Sequence, residues 1–361
     1  MTRIDRYILR QFIITALGSL CAFILLFVVV DMMENLDDFL DKQAPPAIIV
    51  TYYLYFMPEI IKLIIPVAML LSALFTTGRM STYNELPAMK STGLSLYRFM
   101  APLLIFALLV SGASIYFNGW VVPYANKKKF EIGRIYFQKN IEYITKSNIF
   151  IQDSPTRILS IGFYDEQKPS AQQISIQDFD PRDPTRLVAR FDANEMRWDA
   201  STGSWVLVNG YHRIFRDSSE WYSRFAELSM GSLNFSPDDI KKKQEKPDEM
   251  DYNDLRQFIR NQQRAGQDVA RWMVDFYGKI AFPFSSVIVV LFGVPFSSVK
   301  RRSGLGVEFG IALAVCFIYM VLLKISQAFG YNGDLDPLLT AWMANIVFLI
   351  AGVYNLVRVP K

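Results

Sequence analysis

The chain has 361 residues, 52% of them hydrophobic and 14% aromatic, with a mean hydropathy of +0.19. That is too apolar for an ordinary soluble domain, and the apolar residues fall in blocks. The net charge of +4 sits in the short connections between blocks, where it reports membrane topology rather than a nucleic-acid surface.

Six blocks are long enough to cross a bilayer: 12–31, 54–78, 99–122, 276–298, 305–328 and 337–357. The first is no cleaved signal peptide, because Asp31 and Glu34 stand where a small-residue cleavage site belongs. Arg3, Arg6, Arg10, Arg79, Lys90, Arg98, Lys300, Arg301, Arg302, Arg358 and Lys361 gather on one side of the blocks. The short loops of the other side carry Lys42 among acids such as Glu34, Asp37, Asp38 and Asp334. Positive residues stay inside, so both termini are expected in the cytoplasm and residues 123–275 outside.

The connection "NELPAMKSTGLSLYRF" (84–99) carries helix punctuation. Glu85 suits a helix start, Pro87 a first turn and Gly93 a helix end, which predicts a short cytoplasmic helix within about 80–97. Leu86 and Met89, three apart, offer an apolar patch for a partner's groove; the plain alternative is a surface loop.

Between blocks three and four, period-two segments run from about 146 to 235, among them "RILSIGFY", "QISIQDF" and "SWVLVNGYHRIF". Turn-formers such as "DSP", "DPRDP", "ASTGS" and "NG" separate them, and "WDASTGSWVLVNG" reads as a hairpin with a Trp at each strand end. Such spacing predicts a sandwich, jelly roll or partial barrel. A lysine-rich tether follows Pro237, and "MDYNDLRQFIRNQQRAG" then reads as an amphipathic helix ending at Gly266. Cys21 and Cys316 both lie in membrane blocks, so this domain depends on its core and not on disulfides.

Enzyme chemistry is missing. No G-x-x-x-x-G-K-[ST] occurs, so the chain binds no ATP by a P-loop, and the single histidine, His212, sits in a predicted strand without triad or zinc companions. No cofactor or metal site is expected. The charges that stand out lie in the membrane blocks. Glu59 and Lys62 share a face of the second block, Lys324 lies near the outer end of the fifth, Lys279 opens the fourth, and Lys127, Lys128 and Lys129 follow the third. Snorkelling at an interface accounts for Lys279 and the triplet. For Glu59, Lys62 and Lys324 anchoring and a cavity for an anionic lipid headgroup both stand.

Three spans, a β-rich outward domain and three more spans, in that order, resemble the lipopolysaccharide export permeases of the LptF/LptG type. The resemblance covers essentially the whole chain. It is most specific at "MPEIIKLIIPVAMLLSALFTTGRMSTYNELPAMKSTGLS" (57–95), "GVPFSSVKRRSG" (293–304) and "FGYNGDLDPLLTAWMANIVF" (329–348), with "IDRYILRQF" fitting at the N-terminus. It implies an α-helical inner-membrane protein of six transmembrane helices with a jelly-roll-like periplasmic domain between helices 3 and 4. The parts are 1–122, 123–275 and 276–361. It also implies a permease subunit of an ABC transporter that extracts lipopolysaccharide and passes it toward the outer membrane. A separate LptB-type ATPase dimer would bind ATP and Mg2+, and a second permease and a single-span LptC-type protein would complete the complex.

Under the resemblance the 80–97 segment becomes the coupling helix docked on the ATPase, with Glu85, Leu86, Met89 and Gly93 at the contact. Lys62, Lys324, Glu59, Lys279, Lys127 and Lys128 become the lipid-binding candidates, with Glu59 expected to hold Lys62. One departure is "VVVDMMENLDDF" near the outer end of the first span, acidic where some members carry a basic residue that contacts lipopolysaccharide. Either this is the other member of the pair, or Lys62 and Lys324 hold the lipid, or the acids reach its phosphates through divalent cations. Two other readings remain: a non-transporting signalling or mechanotransmission permease, and a membrane-embedded hydrolase, which the missing site disfavours.

Overall fold

The structure, a computed structural model, describes residues 3–42, 44–137, 147–165, 170–216, 219–231, 233–235, 237, 240, 246–264, 266–298 and 305–358. The basic residues Lys300, Arg301 and Arg302, the whole 241–243 lysine run and Lys361 lie outside the described residues. The chain forms two compact units: Met1–Phe137 with Pro247–Tyr252 and Ala270–Lys361, and Gln138–Lys246 with Asn253–Val269.

The first unit is a helical bundle of α1 (Arg3–Glu34), α2 (Leu36–Asp41), α3 (Pro46–Thr82), α4 (Glu85–Ser91), α5 (Leu96–Tyr116) and α6 (Val122–Phe137), then α8 (Ala270–Ala281), α9 (Ser285–Ser297), α10 (Leu305–Tyr331) and α11 (Pro337–Arg358). Six stretches are long and apolar enough to span a membrane, and the chain is a multipass membrane protein: Arg3–Glu34, Pro46–Thr82, Leu96–Tyr136, Ala270–Ser297, Phe309–Tyr331 and Pro337–Arg358. The third runs past the expected end at 122. A π-turn at Phe117–Val121 joins α5 to the polar α6. Its Gly119 leaves room for the Tyr252 ring, which a Cβ would meet at 2.0 Å.

Leu70, Leu74, Phe99, Leu103, Val290 and Val294 are buried in one core. Between membrane helices apolar burial gives little selectivity, so small residues and hydrogen bonds fix the neighbours. Gly293 of α9 lies against Leu70 and Ala73 of α3. Ser297 donates to the Leu74 carbonyl at 2.9 Å, Ser111 to that of Pro283 at 2.8 Å, and Asn345 to that of Ala281 at 2.7 Å.

The second unit carries one six-stranded antiparallel sheet: β1 (Ser147–Ser154), β2 (Arg157–Asp165), β3 (Ser170–Phe179), β4 (Leu187–Asp199), β5 (Ser204–Arg216) and β6 (Ser219–Ser229). Strands pair in sequence order, a meander, with the expected hairpin at β4–β5, where Trp198 faces Trp205. Helix α7 (Tyr252–Arg264) buries Leu255, Phe258 and Ile259 and stops before Gly266, whose φ is +76°.

The "NG" pair is not a turn. Asn209 and Gly210 lie inside β5, in a row of kinks that crosses the sheet. Gly162, Gln173, Asn194 and Asn209 are skipped in the pairing of β2 to β5, and Gln173 and Asn209 have positive φ of 53° and 52°. Across this row the buried face changes parity: from Leu159 and Ile161 to Tyr164 on β2, from Ile174 and Ile176 to Ala171 on β3, and from Ala193 to Met196 on β4. A kinked strand re-aims its side chains, so one sheet keeps a single apolar face on both sides of the bend. Trp205 seals that core and donates its indole N–H to the Phe235 carbonyl at 2.9 Å. On the opposite face burial opposes the charge of Asp192, but hydrogen bonds from Arg213 and Arg190 hold its carboxyl below the usual carboxylate range.

A Cβ at Gly210 would meet the Asp192 carbonyl at 2.5 Å and the Phe225 ring at 2.4 Å. Gly210→Ala is therefore expected to destabilise this domain by about 1–3 kcal/mol, measured by denaturant unfolding of the detergent-purified chain. An unchanged unfolding curve would contradict the kink geometry.

Candidate functional site

Polar side chains in the bundle meet at the end opposite the termini. There a cavity of about 240 Å³ is lined by Glu59 and Lys62 of α3, Asp248 of the return segment, Asp275 and Lys279 of α8, and Lys324, Gln327 and Tyr331 of α10. Three expected lysines, Lys62, Lys279 and Lys324, thus converge with Glu59, although they come from three helices far apart in sequence.

Their pairings differ from expectation. Glu59 does not hold Lys62; it accepts from Lys129. Helical spacing puts Glu59 and Lys62 on one face but does not decide which cation is nearest. The Lys129 side chain is only 8% exposed and sits over the rings of Phe56 and Phe130, where an unpaired ammonium is costly. Lys62 faces Asp248 instead, at 3.5 Å. Lys279 is not a snorkelling anchor: it is 6% exposed and donates to the Met250 carbonyl at 2.5 Å. The Asp275 carboxylate accepts from the Tyr331 hydroxyl at 2.5 Å.

The return segment Pro247–Tyr252, read from sequence as the end of a linker and the start of an amphipathic helix, is tied to the bundle. Besides Lys62 and Lys279, Arg134 reaches Glu249 at 3.2 Å, Asn126 donates to the Asp248 carbonyl at 3.3 Å, and the Tyr252 hydroxyl donates to the Ile115 and Lys279 carbonyls. Asp248, Asp275, Tyr331 and Lys129 were not singled out for these roles by the sequence. Only long-range packing brings them together.

Lys324 stands apart. It is exposed, lines the cavity, and has no hydrogen bond or ion pair among the described residues. The cavity therefore offers a cation at Lys324 and an exchangeable one at Lys62, whose partner Asp248 is more than half exposed. An anion with two charged oxygens suits such a pair. Lys127 and Lys128 do not line it; Lys128 pairs with Glu131 on its own helix at 2.8 Å.

At the other end, the expected short helix is α4. Asn84, with φ +62°, turns the chain out of α3, and Gly93, with φ +91°, ends the motif. Glu85 is its first residue and accepts from the Tyr7 hydroxyl at 3.0 Å. Leu86 offers no patch to a partner: it is 1% exposed, in the same core as Ile8, Phe12, Leu96 and Phe99. Met89 packs beside that core, which leaves Tyr83, Pro87, Ala88 and Ser91 outward.

The family described as lipopolysaccharide export system permease LptF/LptG matches residues 6–358. Lipopolysaccharide export system permease protein LptF of Escherichia coli (strain K12) is 23% identical over 366 residues, 98% of this chain and 94% of its own length. The similarly named LptG of Haemophilus influenzae is 22% identical over 296 residues, 81% of each chain. LptG of Escherichia coli (strain K12) is 19% identical over 381 residues, 98% of each.

The pairings make a stability prediction. Glu59→Ala strands the Lys129 ammonium and should cost about 3–5 kcal/mol, whereas the double change Glu59→Gln with Lys129→Met should recover most of that loss. Thermal unfolding in detergent measures both. If the double variant recovers nothing, or if Lys62→Met rescues Glu59→Ala instead, the Glu59–Lys129 pairing is wrong.

Proposed function

This chain belongs to the lipopolysaccharide export system permease family LptF/LptG, and on that premise we propose that it is the permease subunit of an ABC transporter. It draws lipopolysaccharide from the outer leaflet of the inner membrane and passes it through its β-rich domain toward the outer membrane. ATP and Mg2+ are bound by a separate cytoplasmic ATPase dimer of the LptB type. A second permease of the family and a single-span LptC-type protein complete the assembly.

The observation that carries the reading is the cavity with a lysine, Lys324, that has no hydrogen bond or ion pair among the described residues. With the termini in the cytoplasm, the cavity opens at the periplasmic end of the bundle. Lys324 receives a phosphate of the lipid headgroup, and Lys62 exchanges Asp248 for a second anionic oxygen, while the acyl chains remain in the bilayer below. Glu59 acts indirectly, by holding Lys129, and Lys279 fixes the return segment that supplies Asp248. At the cytoplasmic end α4 docks on the ATPase. Glu85 supplies the charge, Pro87, Ala88 and Ser91 the surface, and buried Leu86 ties α4 to the bundle core so that a push on α4 reaches α3 and α5.

A photo-crosslinking residue at 324 is expected to capture lipopolysaccharide in cells, and one at buried Val289 is not. Failure at 324, with Ile325 labelling normally, reduces Lys324 to an interface anchor. Failure at every cavity position, with ATPase activity still coupled, favours a non-transporting adaptor.

Orientation is tested separately. A cysteine at exposed Tyr222 is expected to react with an impermeant maleimide once the outer membrane is opened, and one at exposed Tyr83 only after lysis. The reverse pattern would overturn the topology and the docking role of α4 together.

A further inference from the structure

The first two turns of α1 reach the coupling segment at two points. Asp5, buried, accepts from the Arg98 guanidinium at 2.8 Å, which fixes α1 to the start of α5 just after α4. Tyr7, two residues on, donates its hydroxyl to the Glu85 Oε2 at 3.0 Å, at the first residue of α4. Ile8 and Phe12 are buried in the same core as Leu86 and Leu96. Tyr7 is therefore held on a helix that is anchored independently of its own hydrogen bond.

We propose that Tyr7 is a positioning residue for Glu85: it orients the carboxylate for the basic group of the ATPase. The inference rests on the coupling reading of Glu85. A partly exposed glutamate at a helix start has three side-chain torsions to lose on docking, and an interfacial charge contact gains most when its geometry is set beforehand. The phenol occupies one lone pair of Oε2 and restrains the carboxylate plane. Oε1 stays available for an incoming guanidinium or ammonium. The ring of Tyr7 is half exposed, so the hydroxyl can be removed without opening a cavity.

The test is a double-mutant cycle on the full chain with its co-expressed partner permease in nanodiscs, reading the Kd of the added ATPase. Tyr7→Phe should raise that Kd about three- to tenfold, the cost of ordering one more side chain on docking, and leave the thermal midpoint of the permease unchanged. In a Glu85→Ala background Tyr7→Phe should add nothing, since it acts only through that carboxylate. An equal Tyr7→Phe effect in both backgrounds would show a packing role and overturn the proposal. So would no Tyr7→Phe effect where Glu85→Ala alone weakens docking, although the coupling reading would then stand. If Glu85→Ala itself leaves the Kd unchanged, the coupling reading fails and this proposal with it.

Discussion

An ammonium group inside a membrane-spanning bundle has to meet an oxygen, and that requirement arranges one end of this protein. Lys129 takes Glu59, Lys279 takes the Met250 carbonyl and Lys62 takes Asp248. Two of these three partners lie in Pro247–Tyr252, so the segment returning from the β-rich domain is held to the bundle by the charges it neutralises. Burial alone would not select that segment, because lipid tails are as apolar as the helix surfaces they touch. Lys324 lines the same cavity without such a partner among the described residues, and the ligand reading follows from that imbalance.

Helix α3 connects this end to the other. It carries Glu59 and Lys62 and continues unbroken to Thr82, about 30 Å further along at 1.5 Å per residue. Three residues later α4 begins. On the proposed reading, the headgroup site lies on α3 and the ATPase docking site on the short helix that follows its end, and α1 brackets that cytoplasmic end through Asp5 and Tyr7. Side-chain to backbone bonds between helices, such as Ser297 to the Leu74 carbonyl, make α9 part of the same body.

Hydropathy made the six spans legible, because about 20 apolar residues in a row have few other uses. It misjudged the third span's end, since the polar α6 continues the helix of α5 through the π-turn at Phe117–Val121. The β-rich domain was legible from period two and from the paired tryptophans. The sheet kink was not, because "NG" in an apolar strand signals a hairpin turn, whereas here the positive φ of Asn209 re-aims a strand and Gly210 lets β4 and β6 approach. At the site, residue types were readable and partners were not. Glu59 and Lys62 obey a helix rule, but a buried lysine 70 positions away has the stronger claim on the acid. Leu86 shows the same limit: three-residue spacing finds an apolar face but not which way it turns.

The most direct test of the central claim is lipid mass spectrometry of the complex purified from cells without added lipid. The account predicts that lipopolysaccharide co-purifies with the wild-type complex. It should be depleted at least tenfold when Lys62 and Lys324 are both changed to Glu, with assembly and bulk phospholipid content unchanged. Equal lipopolysaccharide in the wild-type and doubly substituted complexes, or phospholipid alone in both, would contradict it.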